Sequence, residues 1–437
     1  MQKKAILFIA DGLGGRPSDM DGETCLEVAD TPNLNKMASR GINGLLDPVK
    51  RGVRPGSDTS HLSLFGYNPE DIYSGRGVFE ASGAFMDIEE GDVCFRTNFA
   101  TVDENMGVVD RRAGRIEKGQ DKLEEALNNM DLEEFPEVEI NFKATTQHRG
   151  ALVLKGEGLS DKISDTDPHE EGHIKARHID SSEPGKPEET FIGQNAVEVE
   201  KSKALDGSEE AKKTARIVNK ISQRAHEILT DMEFNERREE EGKLAANALL
   251  LRGASKKPDI PDFEDKYGLE GVGIAAGALY LGVVREVGMK AERPEGATGD
   301  VGTNFMEKAK TAVDKLEEND FVYLHVKATD NAAHDHDAEK KVRCIEKVDE
   351  MVGYLLDNLD WESTHMVFTG DHTTPVNFGD HTAEPVPIVY YGPEVREDDV
   401  EEIGERPSAK GDLGEINGQH VVSILFNYND WMKKFGS

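Results

Sequence analysis

Residues 321–334 read FVYLHVKATDNAAH. The run 321–326 is short, continuous and apolar, the pattern of a strand buried on both faces, and Asp330 and His334 follow just past its end. Their four-residue spacing puts both side chains on one face if the chain turns into a helix there. The same arrangement occurs twice more. AILFIADG at 5–12 gives a strand over 5–10 followed by Asp11, and HMVFTGDHTTPVNFGDH at 365–381 gives a strand over 365–370 followed by Asp371, His372 and His381. PVPIVYYG at 385–392 supplies a fourth strand, and helix-like stretches at 303–318 and 338–358 separate these runs. The alternation predicts an α/β core with a mostly parallel central sheet flanked by helices. Asp11, Asp330 and Asp371 then fall at the carboxyl edge of the sheet, where open α/β sheets bind their ligands.

A lone aspartate after a strand is ordinarily a turn residue or a helix N-cap. Six oxygen and nitrogen ligands in one set, Asp11, Asp330, His334, Asp371, His372 and His381, instead suit two divalent ions of the Zn, Mn or Co type, with Mg also admissible. Asp335, His336 and Asp337 compete for the same loop and are read as solvated residues. Ser57 lies in RPGSDTSHLS, where Pro55 and Gly56 bend the chain before a helix. Its hydroxyl would stand near helix N-terminal amides, a natural phosphate seat, and a metal could activate it as a nucleophile. The plainer alternative is that Ser57 or Asp58 is only an N-cap.

At 437 residues the chain is long enough for two or three domains, and two is the expectation. Between about 86 and 250 the texture turns polar, with SDTDPHEEG, the Pro/Glu-rich SSEPGKPEET and a long polar helix over about 208–230. The simplest organisation is a catalytic domain of residues 1–85 and 251–437 interrupted by an inserted α+β cap domain, 86–250. Arg96, Arg111, Arg112, Arg115, Arg149 and Arg252 lie in or beside this insert, and the planar guanidinium fork matches phosphate and carboxylate. Any one of them could equally be a surface ion pair. GVGIAAG at 271–277 has the wrong spacing for a nucleotide loop and reads as a helix packed through small residues. SDTDPHEEG lacks the ligand positions of a calcium loop and reads as a substrate-side or structural loop.

The net charge of −34 argues against a nucleic-acid partner. No apolar run approaches membrane-span length. Cys25, Cys94 and Cys344 are odd in number and far apart, which fits a reduced, cytoplasmic setting.

Taken in order, DG at 11–12, RPGSDTSHLSLFGY, YSGRG, FRTNFAT, DRRAGRI, GLSDKISDTDPH, LLLRG, HVKATDNAAHD and TGDHTTP resemble the archaeal-type cofactor-independent phosphoglycerate mutases of the alkaline phosphatase superfamily. The resemblance implies an alkaline-phosphatase-like core and interconversion of 3-phosphoglycerate and 2-phosphoglycerate, a step of glycolysis and gluconeogenesis, without 2,3-bisphosphoglycerate. It implies one ion on Asp11, Ser57, Asp371 and His372, and a second on Asp330, His334 and His381. It assigns Asp110 to the proton of the glycerate hydroxyl, Arg111 to the glycerate, and Lys327 with Lys256 or Lys257 to phosphate. A metal-dependent phosphomonoesterase, or a phosphotransferase acting on another small hydroxy compound such as homoserine, is the alternative. Self-association is left open.

Overall fold

A computed structural model describes residues 2–168 and 198–436. The chain divides into two compact units, one of Met1–Tyr73 with Asp259–Ser437 and the other of Ser74–Pro258. The second begins earlier and ends later than the composition shift suggests. The helix Gly77–Gly83 packs on its strands, and its last strand runs on to Ser255, so cuts at 86 and 250 would sever both.

The first unit is built on an eight-stranded sheet ordered β13-β2-β12-β11-β1-β10-β8-β9. Its strands are β1 (Lys4–Ala10), β2 (Ile42–Asp47), β8 (Gly271–Ile274), β9 (Lys290–Glu292), β10 (Phe321–Val326), β11 (Thr364–Thr369), β12 (Val386–Tyr391) and β13 (Gly414–Asn417). β1 pairs in parallel with β10 on one side and β11 on the other, and all three are buried almost throughout, as unbroken apolar runs require. The helix Ala338–Asn358 covers one face, presenting Ile345, Val348, Val352 and Leu355 at helical spacing to Ile6, Phe8 and Phe368. Asp337 caps its start by accepting from the Lys340 amide.

Two features differ from the sequence reading. β12 runs antiparallel to both its neighbours, because residues 370–385 return from β11 as a loop, and only a parallel neighbour needs a crossover helix. GVGI at 271–274 is a strand, and the helix begins only at Ala278. Its glycines fit close neighbours: a Cβ on Gly273 would lie 2.4 Å from Val284 Cγ2, and one on Gly271 2.6 Å from Met289 Sδ.

In the second unit β3 (Val93–Val102) pairs antiparallel with β6 (Arg149–Lys155), β7 (Ala248–Ser255) and, at its end, β4 (Val108–Asp110), while β5 (Glu139–Ala144) pairs with β6. The helix Glu209–Thr230 lays Ile217, Val218, Ile221, Ala225 and Leu229 into this unit's own core with Phe99, Leu152 and Leu249. SSEPGKPEET lies outside the described residues. Among the described residues no helix is long and apolar enough to cross a membrane.

Candidate active site

In the first unit, chain ends of parallel strands bring the predicted ligands together. Asp11 directly follows β1, and its amide donates to Val326 O (2.9 Å), which ties it to the end of β10. Asp330 occupies the first turn of the helix Ala328–His334, and His334 one turn later brings its Nε2 to 3.2 Å from Asp330 Oδ2. Asp371 and His372 open the loop after β11, and Asp371 Oδ1 accepts from the Gly12 amide at 3.0 Å. Gly12 has φ +62°, and a Cβ there would lie 2.7 Å from Asp330 Cβ and Thr374 Oγ1, so only glycine lets the two loops approach.

Ser57 is the first residue of the helix Ser57–Leu64, with Gly56 rather than Ser57 or Asp58 at the N-cap. Its Oγ lies 3.3 Å from His372 Nε2. His61 Nδ1 donates to Ser57 O at 2.6 Å, which fixes the first turn.

Hydrogen bonding decides which imidazole nitrogens face the carboxylates. Thr374 has one proton, and it goes to Asp330 Oδ1 (2.8 Å), since an ionised carboxylate only accepts. His372 Nδ1, 3.0 Å from the same hydroxyl, is therefore the donor. Its Nε2 then holds a lone pair 3.4 Å from Asp11 Oδ1 and 3.3 Å from Asp371 Oδ2. His334 Nδ1 donates to Gly379 O (2.7 Å) and His381 Nδ1 to Pro55 O (2.9 Å), so in the neutral rings Nε2 points toward Asp330 in both cases. A lone pair aimed at a carboxylate oxygen repels it unless positive charge lies between them, either a metal ion or, at His334, whose pKa Asp330 raises, a proton. Nδ1 anchored on an oxygen acceptor, with Nε2 free, is how metal-binding histidines are held.

The electrostatics point the same way. Asp11, Asp330 and Asp371 are fully buried. Burial, with Asp11's charge beside it, pushes Asp371 well above the usual carboxylate range, and its Oδ2 has no hydrogen-bond partner. Lys327 bridges the other two, with Nζ 3.0 Å from Asp11 Oδ1 and 2.5 Å from Asp330 Oδ2. Burial alone would depress this lysine, but the two carboxylates outweigh it and hold its pKa high. Burial holds the His372 pKa down, so the ring stays neutral and able to ligate. Two ligand groups fall within reach of single ions: Asp330 with His334 and His381, and Asp11 with Asp330 and His372. Donor chemistry and charge both fit divalent metals.

Residues 3–428 match the Metalloenzyme superfamily. A 2,3-bisphosphoglycerate-independent phosphoglycerate mutase of Methanocaldococcus jannaschii is 44% identical over 434 residues, covering 99% of each chain. Proteins of the same name from Saccharolobus solfataricus and Ignicoccus hospitalis are 43% and 45% identical over the full length of both chains. The chain belongs to the 2,3-bisphosphoglycerate-independent phosphoglycerate mutase family. Among solved structures, a Pyrococcus horikoshii protein superposes over the whole chain with a TM-score of 0.81 at 37% identity. The cofactor-independent phosphoglycerate mutase of Thermoplasma acidophilum covers 98% of this chain, with a TM-score of 0.65 at 34% identity.

The arginines form a second cluster, in the second unit. Arg96 is buried on β3 with Nε 3.6 Å from Glu80 Oε1, and Arg76 Nε donates to the same oxygen at 2.9 Å. Burial first, then Arg252 and Arg76, drive the Arg96 pKa well below its ordinary value. Arg111 makes a two-pronged contact with buried Asp167 (2.9 and 2.7 Å), and Arg252 Nη1 lies 3.9 Å from that carboxylate. Arg112 is disfavoured by burial and then by the charges of Arg115 and Arg149, so these belong to the same positive field.

Asp110 has a different position from the one expected of a proton carrier. Its Oδ1 accepts from the Arg112 amide (2.7 Å) and its Oδ2 from the Gly114 amide (2.9 Å). It thereby locks a turn in which Ala113, Gly114 and Arg115 all have positive φ. Lys256 is also committed elsewhere, donating to Leu159 O at 2.7 Å, and Lys257 is exposed. Asp335 and His336 are exposed, but His336 Nδ1 still donates to Val376 O, and Asp337 is a helix cap rather than a free loop residue.

Sequence reasoning missed Arg76, Glu80, His61, His325 and Asp167. Arg76 and Asp167 stood inside the motifs YSGRG and SDTDPH. In the described part of SDTDPHEEG, Asp167 holds Arg111, Asp165 accepts from the Gly253 amide and Thr166 Oγ1 from the Leu251 amide, while residues 169–172 lie outside the described residues.

Proposed function

We propose that this protein interconverts 3-phosphoglycerate and 2-phosphoglycerate through a phosphoseryl intermediate on Ser57. The observation that carries the reading is the convergence, beside Ser57 Oγ, of three buried carboxylates with histidine Nε2 lone pairs held facing them. Full-length relatives named for this reaction support the substrate.

Asp11, Ser57, Asp371 and His372 would hold one ion, and Asp330, His334 and His381 the other, with Mn, Zn or Co suited to the mixed oxygen and nitrogen donors. When bound, such ions lower the pKa of the serine hydroxyl and stabilise charge on the phosphoryl oxygens. Ser57 gives up its hydroxyl proton and its Oγ attacks phosphorus in line, the bond from phosphorus to the glycerate oxygen breaks, and that oxygen takes up one proton, so the transfer is proton-neutral. The glycerate reorients, its other hydroxyl loses a proton and attacks the phosphoserine, and Ser57 is regenerated. The helix start fixes Ser57, and the bond from His61 to its carbonyl keeps that turn from swinging. Lys327 offsets part of the carboxylate charge and is a cation in this unit suited to a phosphate oxygen.

Between the two transfers the glycerate must be retained, and we assign that task to the arginines of the second unit. Glu80 and Asp167 orient them while leaving the cluster positive. With both oxygens accepting from amides of its own turn, Asp110 in this reading shapes the loop that bears Arg111, Arg112 and Arg115.

An enolase-coupled assay on 3-phosphoglycerate with Mn²⁺, Co²⁺ or Zn²⁺, and no bisphosphoglycerate, tests the reading. Formation of 2-phosphoglycerate is expected. Free phosphate without 2-phosphoglycerate would make the protein a hydrolase.

A further inference from the structure

Asp11 is singular among the three carboxylates, because a buried imidazole has already claimed one of its oxygens. His325 Nε2 lies 2.9 Å from Asp11 Oδ2, and both side chains are fully buried. A carboxylate only accepts, so Nε2 carries the proton and Nδ1 is left with a lone pair. That Nδ1 has no hydrogen-bond partner.

Around its ring, His325 is packed among aromatic side chains. Tyr280 stacks on its ring at 3.8 Å, and Tyr323 and His61 lie 5.9 and 5.3 Å away, centre to centre. A phenylalanine would fill this space without leaving a buried nitrogen unpaired, an arrangement that interiors otherwise avoid. What the imidazole supplies that phenylalanine cannot is the Nε2 proton. The backbone is arranged to deliver it: His325 pairs with Ile9 across β10 and β1, so it shares a face with Asp11 two residues further on. Buried Lys308 holds the His325 carbonyl from behind, at 3.1 Å.

With Oδ2 taken, Oδ1 is the atom left to ligate, and it already faces Lys327 Nζ (3.0 Å) and His372 Nε2 (3.4 Å). We propose that His325 is a positioning residue whose Nε2 proton fixes the Asp11 carboxylate so that Oδ1 alone is presented, to a single ion. The proposal rests on the two-ion reading above. Asp11 is then a terminal one-oxygen ligand, and the ion held by Asp330, His334 and His381 does not depend on His325.

The test is Co²⁺ binding, followed by equilibrium dialysis and by the visible spectrum of the bound ion, in the full chain and three variants. His325→Phe keeps the ring and removes the donor. The amide nitrogen of His325→Gln reaches the Nε2 position, whereas that of His325→Asn reaches only the Nδ1 position. We expect two ions in the wild type, one of them weakened about 10- to 100-fold in the Phe and Asn variants with a changed spectrum, the other unmoved, and near-wild-type binding in the Gln variant. Equal weakening of both ions, unchanged binding in the Phe variant, or Gln no better than Asn would overturn the proposal. The Gln and Asn pair decides the matter if the Phe variant does not fold. A wild type that binds no ion refutes the metal site itself and this inference with it, whereas two ions with an indifferent His325→Phe refute His325 alone.

Discussion

Lys308 offers a test of the buried electrostatics that needs neither metal nor substrate. Its side chain is wholly buried, its Nζ donates to His325 O at 3.1 Å, and burial first, then Arg293, lowers its pKa from 10.5 to about 7. Below pH 7 the lysine is protonated in both folded and unfolded chains, and the full cost of burying the charge falls on the fold. Between pH 7 and 10.5 the unfolded chain holds a proton that the folded one has released, so unfolding free energy rises with pH. From the two values, Lys308 costs the fold roughly 4 kcal/mol at pH 7 and about 2 kcal/mol at pH 9.

The perturbation is Lys308→Met, which keeps the length and removes the charge. It also leaves the His325 carbonyl without its donor, a penalty of about 1–3 kcal/mol that does not change with pH. The informative quantity is therefore the change with pH of the difference between variant and wild type. The chain has two tryptophans, Trp361 and Trp431, both in the first unit with Lys308, so their fluorescence in urea with chelator present reports that unit's unfolding. The wild type should gain about 2 kcal/mol on the variant between pH 7 and pH 9. A difference that stays flat over this interval would show that Lys308 is not an abnormally acidic buried amine.

Three further outcomes are expected. Ser57→Ala should abolish mutase turnover in the enolase-coupled assay while two ions still bind, because its other ligands are retained; loss of both ions would count against Ser57 as nucleophile. Gly12→Ala forces a Cβ to 2.7 Å from Asp330 Cβ at φ +62°, and should cost on the order of 1–3 kcal/mol in urea unfolding and weaken Co²⁺ binding. Arg111→Ala and Asp167→Asn should raise KM for 3-phosphoglycerate by about tenfold, the loss of one charge-assisted contact, and shift products toward free phosphate; reduced turnover with an unchanged partition would refute the retention role.

The parts of the fold legible in the sequence were those written in contiguous residues. β1, β10 and β11 are unbroken apolar runs, and each ends within a few residues of a candidate ligand, so both the sheet and the edge that gathers those residues could be read. β8 could not, because half of GVGI is glycine and the reason lies in Val284 and Met289, which press on it from elsewhere in the chain. The direction of β12 was equally hidden, since its apolar run is the same read either way and only the connecting loop sets it. Of the candidate site, the proposed ligands were legible as residue types. Its protonation pattern was not, because Thr374, Gly379 and Pro55, which fix the three histidine tautomers, are ordinary residues until the fold brings them to those rings.

The two polar clusters of this chain carry opposite charge. In the first unit Asp11, Asp330 and Asp371 are buried with a largely buried ammonium, Lys327, drawn between two of them, and the third keeps an unpaired oxygen. Such a cluster is stabilised when further positive charge enters it. In the second unit Arg76, Arg96, Arg111 and Arg252 are set against two buried carboxylates, Glu80 and Asp167, with Arg112, Arg115 and Arg149 adding to the excess, and it needs negative charge. A chain with a net charge of −34 would gain nothing by gathering cations at one place for general solubility. One cluster deficient in cations and one deficient in anions match a reaction in which divalent ions are resident and a phosphorylated carboxylic acid comes and goes. Each deficit is a measurable affinity: added Co²⁺ should raise the first unit's stability to urea, and phosphoglycerate should protect the second even when Ser57 is replaced by alanine.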